Sequence, residues 1–96
     1  MTQHILLDSF PLGLLSKSSK GADVLRISEW SRTMLAVGHR IYIPEVIDYE
    51  LRRELLRAGK TNSIRELDNL KIIFRYLPIT TEAMLHAADH WSNIAP

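Results

Sequence analysis

The chain has 96 residues, enough for one domain with one ordinary core, since a chain of that size buries roughly 60–68% of the surface its unfolded form exposes. With 46% hydrophobic and 24% charged residues it fits the globular class, which excludes a disordered tail or a polybasic arm. The lack of cysteine excludes a disulfide framework, a thiolate metal site and a cysteine nucleophile. No apolar stretch approaches the ~20 residues that a membrane span needs. No basic leader precedes the short Ile5-Leu6-Leu7 run, so the expectation is a cytoplasmic protein.

Along the chain, strands alternate with helices. Ile5 to Leu7 reads as a short strand that ends in Asp8, with Pro11 and Gly13 breaking the pattern after it. Ser16 to Gly21 reads as a loop. Val24, Ile27, Trp30, Met34 and Val37 recur at helical spacing over about 22–37, and Gly38 is the stop. Arg40 to Ile43 is the second strand, closed by Pro44. That proline also opens a helix whose stripe is Ile47, Leu51, Leu55 and Ala58, ended by Gly59. Ser63 and Glu66 have the spacing of a capping box for a third helix, which runs to about Phe74. Tyr76 to Ile79 is a third strand. A final helix after Thr80 or Thr81 carries Met84, Ala87, Ala88, Trp91 and Ala95 on its core stripe.

Strands joined by helical crossovers make a parallel sheet with helices on both faces. Right-handed crossovers give the order 3-2-1 and leave the first strand at an edge. A short aliphatic strand without charges belongs in the middle of a sheet. A further neighbour on its far side is therefore expected, and a second copy of the chain would supply one.

The near-neutral total hides an asymmetry. Leu51 to Arg75 holds seven basic residues against three acidic ones. Such a stretch either laces helix faces with ion pairs or holds a phosphate backbone. Ligands of an open parallel sheet bind beyond the carboxyl ends of its strands. Asp8 ends the first strand there, and Glu50 lies in the helix after the second. Two carboxylates on one rim suit Mg²⁺ or Mn²⁺. The alternative is that Asp8 caps a loop through Ser9 while Glu50 is a surface residue pairing with Arg53.

Three segments carry a resemblance. Ile5-Leu6-Leu7-Asp8-Ser9, then Ile41-Tyr42-Ile43-Pro44-Glu45-Val46 leading to Glu50, then Leu77-Pro78-Ile79-Thr80 before an alanine-rich helix, together resemble a PIN domain of the VapC type. The match covers nearly the whole chain, as one PIN-like domain over 1–96. The resemblance implies a three-layer α/β/α fold and a metal-dependent ribonuclease of a toxin–antitoxin pair, held by an antitoxin. It implies Asp8 and Glu50 as acidic ligands of Mg²⁺ or Mn²⁺. The basic run Arg52, Arg53, Arg57, Lys60 and Arg65, with Ser9, would then hold the RNA. Relatives continue past such a helix into a fourth strand that bears a third acid, a segment this sequence lacks, and many place Asn where this chain has Phe10. A catalytically inactive remnant that binds an antitoxin or a homologue is the second expectation.

Three other features point elsewhere. His86 and His90 stand one helical turn apart with Asp89 between them, a spacing able to hold zinc. They fall opposite the Met84–Ala88–Trp91 stripe, as part of a polar helix face. Trp30 and Trp91 are expected in the core rather than stacked on bases. Helices over 45–58 and 63–74 could also form a helix-turn-helix, which the flanking strands disfavour. His4 and His39 receive no role.

Overall fold

The computed structural model describes residues 2–18, 21–81 and 85. Seven elements follow one another: β1 (His4–Leu6), α1 (Ser9–Leu15), α2 (Ala22–Ala36), β2 (Arg40–Pro44), α3 (Glu45–Arg57), α4 (Thr61–Ile73) and β3 (Arg75–Leu77). Among the described residues they make a mixed α/β domain with four helices and one parallel three-stranded sheet, in the order β1-β2-β3.

Helix α1 corrects the sequence reading, which breaks the chain at Pro11 and Gly13. Asp8 is its N-cap, and one carboxylate oxygen accepts the Ser9 N–H at 2.8 Å. Pro11 therefore falls in the first turn, where N–H groups have no intrahelical acceptor, and its ring costs no hydrogen bond. Gly13 faces α3, where an added Cβ would stand 3.8 Å from Leu51 Cδ1, an ordinary contact.

Helices α2 and α3 end in the same way. Gly38 and Gly59 take φ of +93° and +68°. After α2, Gly38 N–H donates to the Leu35 carbonyl and His39 N–H to that of Met34. After α3, Gly59 N–H donates to the Leu56 carbonyl and Lys60 N–H to that of Leu55. This paired closure satisfies the last carbonyls and needs a left-handed residue at the turn. The second stop delivers Lys60 directly as the N-cap of α4, with no side-chain cap bond. Ser63 is then the third residue of α4, so the expected capping box does not form.

Strand register assigns the two sheet faces. Ile5 pairs with Ile41 and Ile43 with Tyr76, while His4 pairs with Arg40 and Leu6 with Tyr42. Ile41 and Ile43 are 1% and 0% exposed. They are covered by Leu12 and Leu15 of α1, Met34 of α2, Leu51 of α3 and Leu67 of α4, among others, in one cluster. All four helices thus contribute to one side. On the other side His4, Leu6, Arg40, Arg75 and Leu77 are exposed, Leu6 by 57%, and Tyr42 is half-buried. Here the His4 ring stacks on Tyr42 with centroids 5.6 Å apart, and His4 Nδ1 and Tyr42 Oη share a 2.9 Å hydrogen bond. The described residues therefore form two layers where three were expected. The helix expected after Thr81, with His86, His90 and Trp91, lies outside them.

Glycine substitutions separate these roles. Gly13→Ala is expected to stabilise the fold by about 0.5–1 kcal/mol, because alanine is the better helix former and has room. Gly59→Ala is expected to destabilise it by about 1–2 kcal/mol, the cost of a Cβ in the left-handed region. Urea denaturation of both variants reads the two opposite signs.

Candidate functional site

Because the strands are parallel, their carboxyl ends share one edge of the sheet. Asp8 stands two residues past β1, and α3 opens directly from β2 with Glu45, Asp48 and Glu50 in its first turns. The three α3 acids do different things. The N–H of Ile79 donates to Glu45 Oε1 at 3.2 Å, and the Tyr76 hydroxyl donates to Oε2 at 3.5 Å. Glu45 so fixes the exit of β3 beside the start of α3.

Asp48 is 6% exposed. Arg52 Nη2 donates to Asp48 Oδ1 at 3.2 Å and to Asp68 Oδ1 of α4 at 2.7 Å, and Lys71 Nζ lies 3.8 Å from Asp48 Oδ2. Burial would lower the Arg52 pKa, but the hydrogen bonds to Asp68 and Asp48 outweigh it and raise it. Lys71 Nζ also sits 4.4 Å over the Tyr76 ring. Sequence reading passed over Asp48. The available signal was its i,i+4 spacing to Arg52.

Glu50 lies on the opposite flank of the Ile47–Leu51–Leu55 stripe from Asp48, as the helical repeat requires. It is exposed and forms no ion pair among the described residues. Asp8 is exposed too, with Oδ1 engaged by the Ser9 N–H. The topology brings Asp8 and Glu50 to one edge. Among the described residues, no group of three His, Cys, Asp or Glu is placed to hold a metal ion.

The basic residues divide as well. Arg52 is committed to two carboxylates, whereas Arg53, Arg57 and Arg65 are exposed. Ser9 and Lys60 come together on a cleft of about 420 Å³ between α1 and the α3–α4 corner, with Phe10, Lys17, Leu51 and Ser63 also on its walls. Trp30, expected in the core, is 37% exposed and lines a second cleft with Phe10 and Arg26. His39, given no role in sequence, accepts the Gln3 N–H at 3.0 Å through Nδ1. No helix among the described residues is long and apolar enough to cross a membrane. No protein-family model, curated protein or solved structure matches the chain.

The Tyr76 phenol is held above its ordinary pKa, first by burial and then by the charges of Glu45 and Asp48. Its neutral form is favoured in the fold, so its contribution to stability is complete below the ordinary tyrosine pKa of about 10. That contribution is lost as pH rises through the folded-state value, because the unfolded chain gives up the proton first. Denaturation midpoints taken at successive pH values above about 10 should therefore fall less steeply for Tyr76→Phe than for the parent. Parallel slopes would remove Tyr76 from the alkaline transition.

Proposed function

We propose that this chain carries a PIN-like, VapC-type ribonuclease site, with Asp8 and Glu50 as acidic ligands of Mg²⁺ or Mn²⁺. The observation that supports it is their joint placement, exposed, at the carboxyl edge of adjacent parallel strands. Two carboxylates are a fitting donor set for a hard cation that keeps most of its waters. A bound ion would supply an activated water and neutralise charge on an RNA phosphodiester. The Ser9 N–H orients Asp8 through one oxygen and leaves the other for the edge. Arg53, Arg57, Arg65 and Lys60 offer exposed cations to the RNA backbone, while Arg52 serves the fold. The reading includes a three-layer arrangement, whose third layer would lie on the face of His4, Leu6 and Tyr42. It also includes a cytoplasmic toxin held by an antitoxin.

Calorimetry with Mn²⁺ tests the site. Weak binding is expected for the parent, and its loss in both Asp8→Asn and Glu50→Gln. Slow metal-dependent cleavage of single-stranded RNA should vanish in the same variants. Equal Mn²⁺ binding in all three proteins would overturn the assignment.

A second reading, an interaction module that pairs with a second copy, is favoured by the edge of β1. The Leu7 N–H and the Gln3 carbonyl both bond to β2, so the backbone groups of His4 and Leu6 face away from the sheet. His4 and Leu6 flank Ile5 symmetrically. A two-fold axis through Ile5 would pair His4 of one copy with Leu6 of the other in antiparallel register. The two Asp8 residues would then stand about 20 Å apart, since six residues separate them along the strand direction. Light scattering on a sizing column should give twice the chain mass for the parent and the single-chain mass for Leu6→Lys, whose charge blunts the edge. A parent that stays monomeric at every concentration would end this reading.

A further inference from the structure

Phe10 is 75% exposed and Trp30 37%. Large apolar side chains left in water are informative where they gather. These two line one cleft of about 490 Å³ between α1 and α2, a volume within the range of roughly 300–1,000 Å³ that small-ligand sites occupy. Phe10 and Leu14, one helical turn apart, form its α1 wall, and Ile27 and Trp30 its α2 wall. The two rings make no ring contact, unlike those of His4 and Tyr42. Neither ring is used by another aromatic side chain of the fold.

The polar groups of the cleft are one acid and one base. Asp23 and Arg26 also line it, and both are exposed. They stand three residues apart on α2, a spacing that lets side chains meet on a helix surface. Yet neither joins an ion pair among the described residues. The cleft thus offers aromatic surface, a two-oxygen acceptor and a forked donor. Unpaired nucleobases are recognised with those parts: the plane stacks on aromatic rings and the edge hydrogen-bonds to side chains. Among the four RNA bases, guanine carries two adjacent donors, N1–H and N2–H, which match a carboxylate. It also presents O6 and N7 as a pair of acceptors for a guanidinium. An apolar peptide segment would fill the walls and leave the acid and the base unused. Position adds a separate argument. Phe10 follows Asp8 by two residues, in the first turn of α1, so the cleft begins at the end of α1 that Asp8 caps.

We propose that the cleft of Phe10, Asp23, Arg26 and Trp30 binds an unpaired guanine of single-stranded RNA. The inference rests on RNA as the substrate of the proposed metal site, but not on the metal.

The test is NMR titration without divalent metal, at constant ionic strength. The probes are short uridine oligonucleotides without terminal phosphates, whose central base is G, A, C or U. Saturable shifts are expected at the Trp30 indole N–H and at amides along the cleft walls. The G-centred probe should bind about tenfold more tightly than the other three, the size of one bidentate base contact. Asp23→Asn should erase that preference, because the amide sets an N–H₂ group against a donor. Phe10→Ala should weaken all four probes about tenfold, as loss of a stacking partner implies. Arg32→Gln, on an exposed part of α2 outside the cleft, should change neither property. A second arm uses guanosine monophosphate. Affinity for it well above that for the G-centred probe would assign the cleft to a free nucleotide and overturn the proposal. So would shifts that never saturate, equal affinity for all four probes, or a preference that survives Asp23→Asn. Neither metal nor cleavage enters the measurement, so a failed metal site and a failed base cleft are read separately. The spectra report at the same time that each variant is folded.

Discussion

Two isoleucines in the central strand set the terms for the rest of the chain. Ile41 and Ile43 point to the same face of β2, both are fully enclosed, and each helix contributes to the cluster that encloses them. Burying two such side chains is worth roughly 3–6 kcal/mol on area grounds. That gain is available only if the chain returns over the same side between strands. Parallel pairing of β1 with β2 and β2 with β3 follows from those returns. So does the gathering of Asp8, Glu45, Asp48 and Glu50 near one edge.

Polar contacts then fix what the apolar cluster leaves adjustable. Asp48 receives Arg52 and Lys71, Arg52 reaches across to Asp68, and Lys71 caps the ring of Tyr76, whose hydroxyl returns to Glu45. This circuit joins α3, α4 and the end of β3. A buried carboxylate shared by two cations is weak evidence of added stability over an apolar replacement, because desolvation offsets much of the attraction. Its firm consequence is geometric. The orientation of α3 about its own axis is fixed by Asp48 on one flank, and that leaves Glu50 on the other. The acid that supports the fold and the acid proposed as a metal ligand are thus two residues apart and not interchangeable.

Elements with local signals were legible in the sequence. The span of α2, the β-branched run of β2 and the two glycine stops appear where their residues place them, whereas Trp30 and Val37 of the expected α2 stripe lie exposed. Helix α1 was missed because Pro11 and Gly13 read as breakers, whereas the Asp8 cap converts the proline into a first-turn residue. The start of α4 was misplaced because Ser63 and Glu66 have capping-box spacing, but the closure at Gly59 starts the helix earlier. Asp8 and Glu50 could be singled out from strand ends and helix phase. The division of the basic residues could not, since whether Arg52 or Lys60 is free depends on which carboxylates the fold brings near. The cleft that Ser9 and Lys60 share depends on α1 meeting the α3–α4 corner, and no window of sequence contains both.

Among the described residues, one-sided helix cover divides each strand into two populations that tolerate change differently. Ile5, Ile41 and Ile43 answer to a packed interior, where the loss of a methyl group is felt throughout the cluster. Their neighbours His4, Leu6 and Arg40, one position along the same backbone, lie exposed on the other face. Sequence drift on β1 and β2 should therefore alternate, residue by residue, between near silence and wide latitude. New chemistry could be written onto the open face without a single edit to the side that holds the molecule together.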